Sequence, residues 1–269
     1  MSVKRVTLAL DAALRDQATL RVATRIAARL DAELTALLVT SAHLQRFAGL
    51  PTATEVLIGS ARSRRADPGA LAADLERLMG NITEHLGNFA REMDVAWSVV
   101  RTSLEAVPER PPTDLLLVDR RAGHSPVSRA ELGSLAARLV SHCQKSILVF
   151  ERELAPDKPV SLLTASLTRP ALEMALDFAR SSGRLLALIE APDQRSFELH
   201  DERLRKTLDA HPVLLHTEWV CEPHPRLLAS TLLGHNSGML VVDAVNTLVR
   251  QEDLASLLDT LRIPVLLTR

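Results

Sequence analysis

The chain has 269 residues, of which 46% are hydrophobic, and a formal net charge of −1 at pH 7. That length allows two domains of ordinary size, each with its own core. The near-neutral charge gives no electrostatic reason to expect a nucleic acid or an anionic membrane as partner. No apolar run approaches the ~18 residues that span a bilayer, and the N-terminus lacks the apolar core of a signal peptide. We therefore expect a soluble globular protein.

The first half begins with a predicted β-α-β unit. Residues 6–11 predict a strand ending in Asp11, an amphipathic helix follows from about residue 16, and residues 34–39 predict a second strand. A polar connection containing Arg62–Arg65 is expected to be a loop. Apolar residues then recur three and four apart, which predicts a long helix beginning at Pro68. Its apolar positions are Leu71, Leu75, Leu78, Ile82, Leu86, Phe89 and Met93.

Residues 95–100 predict a third strand, and residues 113–150 predict a strand, a polar loop, a helix and a final strand. The apolar run 114–119 is typical of a strand buried on both faces. Ligands of open parallel sheets bind where such strands end and the following helices begin. This stretch is therefore the expected location of a ligand site.

The same order of elements recurs in the second half, which indicates a duplication. Strands are predicted at residues 160–165, 185–189, 213–220, 239–243 and 263–267. Thr168 is expected to cap the helix after the first of them. We place the domains at residues 1–152 and 157–269. The second copy has no acid after its first strand and no glycine after Asp243, so we do not expect it to carry the same ligand site as the first.

The motifs of the first half resemble those of the universal stress protein family. That family carries a phosphate loop of the form Gly-x2-Gly-x9-Gly-Ser/Thr, which Gly123, Gly133 and Ser134 match in part. Arg120 stands where the first glycine of the loop would fall. An alignment anchored on the strand instead places Asp119 and Ala122 at the first two glycine positions. In the β-α-β opening, Asp11 and Val39 match the positions that contact adenosine in the family.

The resemblance implies an α/β fold of two tandem Rossmann-like or flavodoxin-like domains with parallel sheets, of the adenine nucleotide alpha hydrolase-like type. It implies ATP or another adenine nucleotide as the ligand of the first domain. The implied site is Asp11, Val39, Arg120, Gly123, Gly133 and Ser134. Because family members pair through their last strand, the resemblance also implies an internal pseudo-dimer that joins residues 146–150 with 263–267, and it allows a homodimer.

The residues themselves leave alternatives open. Gly133 and Ser134 can seat a phosphate at a helix start, or a capping box at residues 128–131 can start the helix earlier, with Gly133 a packing residue. Arg120 and Arg121 can bind phosphate or be solvated. Asp11 can bind a ribose or be an ordinary turn residue.

The sequence offers no catalytic or metal-binding constellation. It has no nucleophile elbow and no Walker loop, and its nine histidines show no convincing metal-ligand spacing. Cys143 and Cys221 are far apart, which favours a reduced, cytoplasmic setting, and Cys143 is expected to be a small buried hydrophobe. We therefore expect a non-enzymatic cytoplasmic stress-response or regulatory protein without a metal. The alternative is a scaffold or protein-interaction module in which both ligand sites have decayed.

Overall fold

The computed structural model describes residues 3–11, 17–40, 50, 52–57, 62–103, 113–122, 134–151, 154–243 and 251–269. The elements of the first half are β1 (Arg5–Asp11), α1 (Gln17–Leu30), β2 (Glu33–Thr40), β3 (Thr54–Leu57), β4 (Arg62–Arg65), α2 (Pro68–Met93), β5 (Trp97–Ser103), β6 (Leu115–Asp119), α3 (Ser134–His142) and β7 (Ser146–Phe150). Those of the second half are β8 (Val160–Thr164), α4 (Arg169–Ala179), β9 (Arg184–Glu190), α5 (Gln194–Leu208), β10 (Leu214–Val220), α6 (Pro225–Gly234), β11 (Met239–Asp243), α7 (Gln251–Thr260) and β12 (Val265–Thr268).

Ten strands form one sheet in the order β10-β9-β8-β11-β12-β7-β6-β1-β2-β5. Within each half all neighbouring strands run parallel, and the first strand of each half, β1 or β8, is central. The halves join through β12 and β7, which pair antiparallel with Val265 opposite Val149. This is the strand pairing that the resemblance implies, and it is confirmed. The predicted α/β fold class is confirmed as well.

The central strands are buried on both faces because helices cover both sides of the sheet. One face packs a core that includes Leu8, Ile26 and Phe178, and the other packs a core that includes Leu37, Leu139 and Leu257. Each core draws residues from both halves. The sheet therefore buries one continuous apolar layer on each face across the seam between β7 and β12.

Polar contacts also cross the seam. Arg29 of α1 donates to the Phe178 carbonyl of α4, and its guanidinium carbon lies 5.6 Å from the centroid of the Phe178 ring. The Arg269 guanidinium donates to the Val140 carbonyl of α3 over 2.6 Å. Such side-chain bonds to carbonyls of the other half fix the relative position of the two halves.

The residues between β2 and α2 contain a structure that the sequence did not predict. Arg62–Arg65, expected to be a loop, is strand β4, and it pairs antiparallel with β3 in a separate two-stranded sheet. The segment RSRR contains no apolar residue, so it lacks the alternating apolar pattern by which a half-buried strand is recognised.

The starts of α2 and α4 can be compared with the sequence predictions for Pro68 and Thr168. Pro68 begins α2 as predicted, and the Asp67 side chain caps the helix by accepting from the Gly69 N–H over 2.8 Å. Thr168 occupies the N-cap position of α4, but its side chain makes no capping hydrogen bond. Its N–H instead donates to the carboxylate of Asp243, so the predicted side-chain role of Thr168 is wrong.

Among the described helices, none combines the length and the apolar character needed to cross a membrane.

Candidate functional site

The predicted site lies at the carboxyl edge of the first-half strands. Asp11 and Val39 are partners at the ends of the parallel strands β1 and β2, and Asp119 ends the next strand on the other side, β6. The chain passes from β1 to β2 and β5 on one side and then returns to β6 on the other side of β1, so this edge is a topological switch point where ligands of open α/β sheets bind. The Val39 side chain is buried.

The side chain of Asp119 is buried at this edge, with only 1% of the residue exposed. Its Oδ2 accepts from the Thr19 hydroxyl of α1 over 2.7 Å. The Arg121 guanidinium donates to both carboxylate oxygens, over 3.1 Å from Nε and 2.9 Å from Nη2, and the Arg121 N–H donates to Oδ1 over 2.8 Å. A bidentate contact of this kind fixes the orientation of the carboxylate. Arg121 thus closes over the acid at the end of β6.

Arg120, the preceding residue, is buried, and the alternative in which it is a solvated loop residue is wrong. Burial lowers the pKa of its guanidinium, while the charges of Glu151 and Asp259 oppose that effect and Arg262 adds to it. Glu151 follows β7, and Arg262 and Asp259 belong to the second half. The Arg120 side chain therefore lies in the electrostatic environment of the seam.

The start of α3 is the expected phosphate seat. The described helix begins at Ser134, and the carbonyl of Ala122 accepts from the N–H groups of Leu135 and Ala136, over 3.2 and 3.4 Å. N–H groups in the first turn of a helix are the donors that bind an anion. Here two of them already have a backbone acceptor.

The remaining predicted residues cannot be placed in full. Gly123 and Gly133 lie outside the described residues, as do the side chains of Asp11 and Ser134. Their assignment to a nucleotide site, and the two alternatives for Gly133, stay predictions. The described part of the chain brings Val39 and the backbones of Asp11 and Ser134 to the same edge of the sheet as Asp119.

The second half repeats the acid at the end of its fourth strand. Asp243, 2% exposed, accepts from the Thr164 hydroxyl over 3.3 Å and from the Thr168 N–H over 3.2 Å. The Thr164 hydroxyl oxygen in turn accepts from the N–H of Leu167, a residue with the left-handed φ of 51°. By strand register Thr164 corresponds to Leu10 of the first half, and Ala165 stands where the first half has Asp11, so the second copy has no acid at this position.

A second cluster of polar residues lies at the opposite end of the sheet, on the edge strand β10. His216 and Glu218 of β10 and His235 at the end of α6 place their ligand atoms within 4.8 Å of one another. The group was not predicted from the sequence, because His235 is distant from the other two residues in the chain. Two of the three residues could have been recognised from the spacing His216-x-Glu218 on a predicted strand, which puts both side chains on one face.

The fold and the strand-end site define a tandem α/β protein made of two five-stranded parallel units joined through their last strands. No family model and no curated protein sequence matches the chain. Solved structures do. A universal stress protein from Archaeoglobus fulgidus DSM 4304 is 12% identical, with a TM-score of 0.66 over 100% of this chain and 97% of that one.

Two proteins from Pseudomonas aeruginosa are similar as well. A candidate universal stress protein from strain UCBPP-PA14 is 15% identical, with a TM-score of 0.60 over 99% of this chain and 93% of that one. A protein of unknown function from strain PAO1 is 16% identical, with a TM-score of 0.60 over 99% and 92%. The chain therefore has the universal stress protein fold along its whole length, as the resemblance of its sequence predicts.

Proposed function

We propose that the chain is a non-enzymatic, cytoplasmic stress-response protein of the universal stress protein type that acts by binding other proteins. The fold supports the class. The closure of Arg121 over Asp119 supports a mode of action that needs no nucleotide, and it is the observation on which the proposal rests. This favours the alternative in which the ligand sites have decayed over the one in which a nucleotide is the regular ligand of the first half.

A phosphate at the start of α3 would meet competition from within the chain. It would have to displace the Ala122 carbonyl from two N–H groups and to approach the buried carboxylate of Asp119. It would also draw Arg121 away from Asp119, and a hydrogen bond to a charged group contributes about 1.5–3 kcal/mol. Each such loss lowers affinity by roughly 10- to 100-fold, because 1.4 kcal/mol corresponds to a factor of ten. We therefore expect weak nucleotide binding at most.

The second candidate function is binding of ATP or another adenine nucleotide in the first half. The side-by-side position of Asp11 and Val39 at the switch point favours it, since this is where the matching family positions contact adenosine. The Arg121 side chain is 41% exposed and supplies positive charge beside the start of α3. The binding residues would be Asp11, Val39, Gly123, Gly133 and Ser134, whereas the sixth predicted residue, Arg120, is buried near charged residues of the seam.

Calorimetry with ATP, ADP and AMP at millimolar concentration separates the two candidates. The proposal expects no saturable heat for the unmodified chain. Saturable binding of one nucleotide per chain, lost in Asp11→Ala and kept in the second-half control variant Ser166→Ala, would establish the second candidate instead. A parallel assay for released phosphate tests the non-enzymatic part of the proposal, which expects no release above the rate without protein.

A further inference from the structure

We propose that His216, Glu218 and His235 form a binding site for Zn²⁺ at the β10 edge of the sheet. The three residues belong to the second half, away from the strand ends where the nucleotide family would bind its ligand. The site is independent of the proposed function above.

The fold fixes two of the ligands on one strand. His216 and Glu218 alternate along β10, so their side chains project from the same face. They lie opposite Leu186 and Leu188 of β9, whose side chains are buried in the core beneath α6. The strand that carries the ligands is therefore held in register by buried neighbours.

The third ligand comes from the end of α6. The His235 N–H donates to the Thr231 carbonyl over 3.0 Å, and Asn236 then turns the chain with a left-handed φ of 52°. This turn places the imidazole beside the same face of β10. The carboxyl end of a helix carries partial negative charge from its last carbonyl groups, which favours a cation there.

The three side chains converge on one point. Oε1 of Glu218 lies 2.5 Å from Nε2 of His235 and 3.4 Å from Nε2 of His216. The two imidazole rings are 5.1 Å apart between centroids. Ligands of a tetrahedral zinc ion, each about 2.0–2.2 Å from the metal, lie roughly 3.3 Å from one another. The Glu218–His216 distance already matches this spacing, a small rotation of Glu218 away from His235 would bring the Glu218–His235 distance to it, and all three ligand atoms lie within 4.8 Å of one another.

The chemistry of the three donor atoms determines which metal ion the site would bind. Two imidazole nitrogens and one carboxylate oxygen suit Zn²⁺ and neighbouring transition ions, whereas Mg²⁺ and Ca²⁺ prefer sets made of oxygen alone. The His216 side chain is 60% exposed and those of Glu218 and His235 are 34% exposed, so the site faces solvent. Three protein ligands on an open edge leave at least one coordination position for water or for a group from another molecule.

Titration of the full chain with Zn²⁺ after treatment with a chelator tests the site. Calorimetry near pH 7.5 should give one ion per chain. His216→Gln, Glu218→Gln and His235→Gln should each weaken binding by ~10-fold or more. Two variants serve as matched controls, His211→Gln for an exposed histidine just before β10 and Cys221→Ser for the exposed thiol just after it. Both should bind Zn²⁺ as the unmodified chain does.

Thermal unfolding with and without Zn²⁺ shows whether a variant that fails to bind the ion is still folded. Zn²⁺ should raise the Tm of the unmodified chain and of both controls, because an ion that binds only the folded state stabilises it. It should leave the Tm of His216→Gln/His235→Gln unchanged, while the metal-free Tm of that variant stays close to that of the unmodified chain. Absence of binding to the unmodified chain overturns the proposal. So does binding that survives all three ligand substitutions or disappears in a control.

Discussion

Asp119 and Asp243 hold equivalent positions in the two halves, each as the last residue of the fourth strand of a five-stranded parallel unit. Both side chains are almost completely buried. Asp119 is bound by the guanidinium of Arg121 and by Thr19, whereas Asp243 accepts from the hydroxyl of Thr164 and the N–H of Thr168. The two copies therefore keep the acid but satisfy it with different donors, and in both copies the donors come from the chain itself.

Arg121→Ala should destabilise the fold by about 1–3 kcal/mol in urea unfolding, because it leaves the buried Asp119 carboxylate with fewer donors. The expected loss is below that of a fully buried ion pair because the Arg121 side chain is 41% exposed. Arg169→Ala is the matched control, since it removes an arginine that is 87% exposed from a pair with Glu173. Its effect should stay within ~0.5 kcal/mol. Equal effects of the two substitutions would contradict the role given to Arg121.

Gly238→Ala should destabilise the second half by about 1–3 kcal/mol, as overpacking in a filled region does. A Cβ at this position would lie 2.7 Å from the Lys158 Cβ and 3.1 Å from the Ala155 carbonyl oxygen. Gly80→Ala is the opposite case, because a Cβ there meets nothing within 4 Å and the residue lies inside α2. It should stabilise the chain by roughly 0.5–1 kcal/mol. Thermal unfolding of the two variants side by side shows whether Gly238→Ala lowers the Tm and Gly80→Ala raises it.

The register of the seam can be tested with a disulfide. Val149 and Val265 are directly opposite in the antiparallel pair β7–β12, where opposite Cα atoms lie about 4.5–5.5 Å apart, a separation that a disulfide spans. Val149→Cys/Val265→Cys should oxidise to one internal disulfide, detected by mass spectrometry under non-reducing conditions. Leu148→Cys/Val265→Cys is the control, in which the two side chains point to opposite faces. A disulfide in the control pair, or none in the matched pair, would refute the register.

Asp193 makes the stability of α5 depend on pH. Its carboxylate caps the helix by accepting from the Ser196 N–H over 2.8 Å, and hydrogen bonds from Ser196 lower the pKa of Asp193. A lowered folded-state pKa stabilises the fold above the unfolded pKa of about 4, and the contribution disappears as pH falls through the folded value. Asp193→Ala should therefore unfold at lower urea than the unmodified chain at pH 7 but not at pH 2. Asp193→Asn, which keeps a capping oxygen, should show a smaller difference at pH 7.

Much of the fold could be predicted because its central strands are buried on both faces and have short apolar sequences. Two of them, LLLVD at β6 and MLVVD at β11, end in an acid. The pairing of β7 with β12 followed from the resemblance to the family. The hairpin of β3 and β4 could not be predicted, since the arginines of β4 give no apolar alternation.

The site was harder to predict because its chemistry depends on contacts between distant segments. The sequence does not show that Arg120 turns into the seam while its neighbour Arg121 binds Asp119, since both are arginines in one polar segment. Nor does it show that a histidine after α6 reaches a strand that ends fifteen residues earlier in the chain. These contacts between distant residues follow from the packing of the fold, and local sequence patterns do not show them.

The central claim is that the first-half site is satisfied by the chain itself and needs no nucleotide. Native mass spectrometry of the chain, purified without added nucleotide and treated with a chelator, tests this claim most directly. We expect to observe the mass of the polypeptide alone. A population carrying one adenine nucleotide per chain, retained through purification and lost in Asp11→Ala, would contradict it.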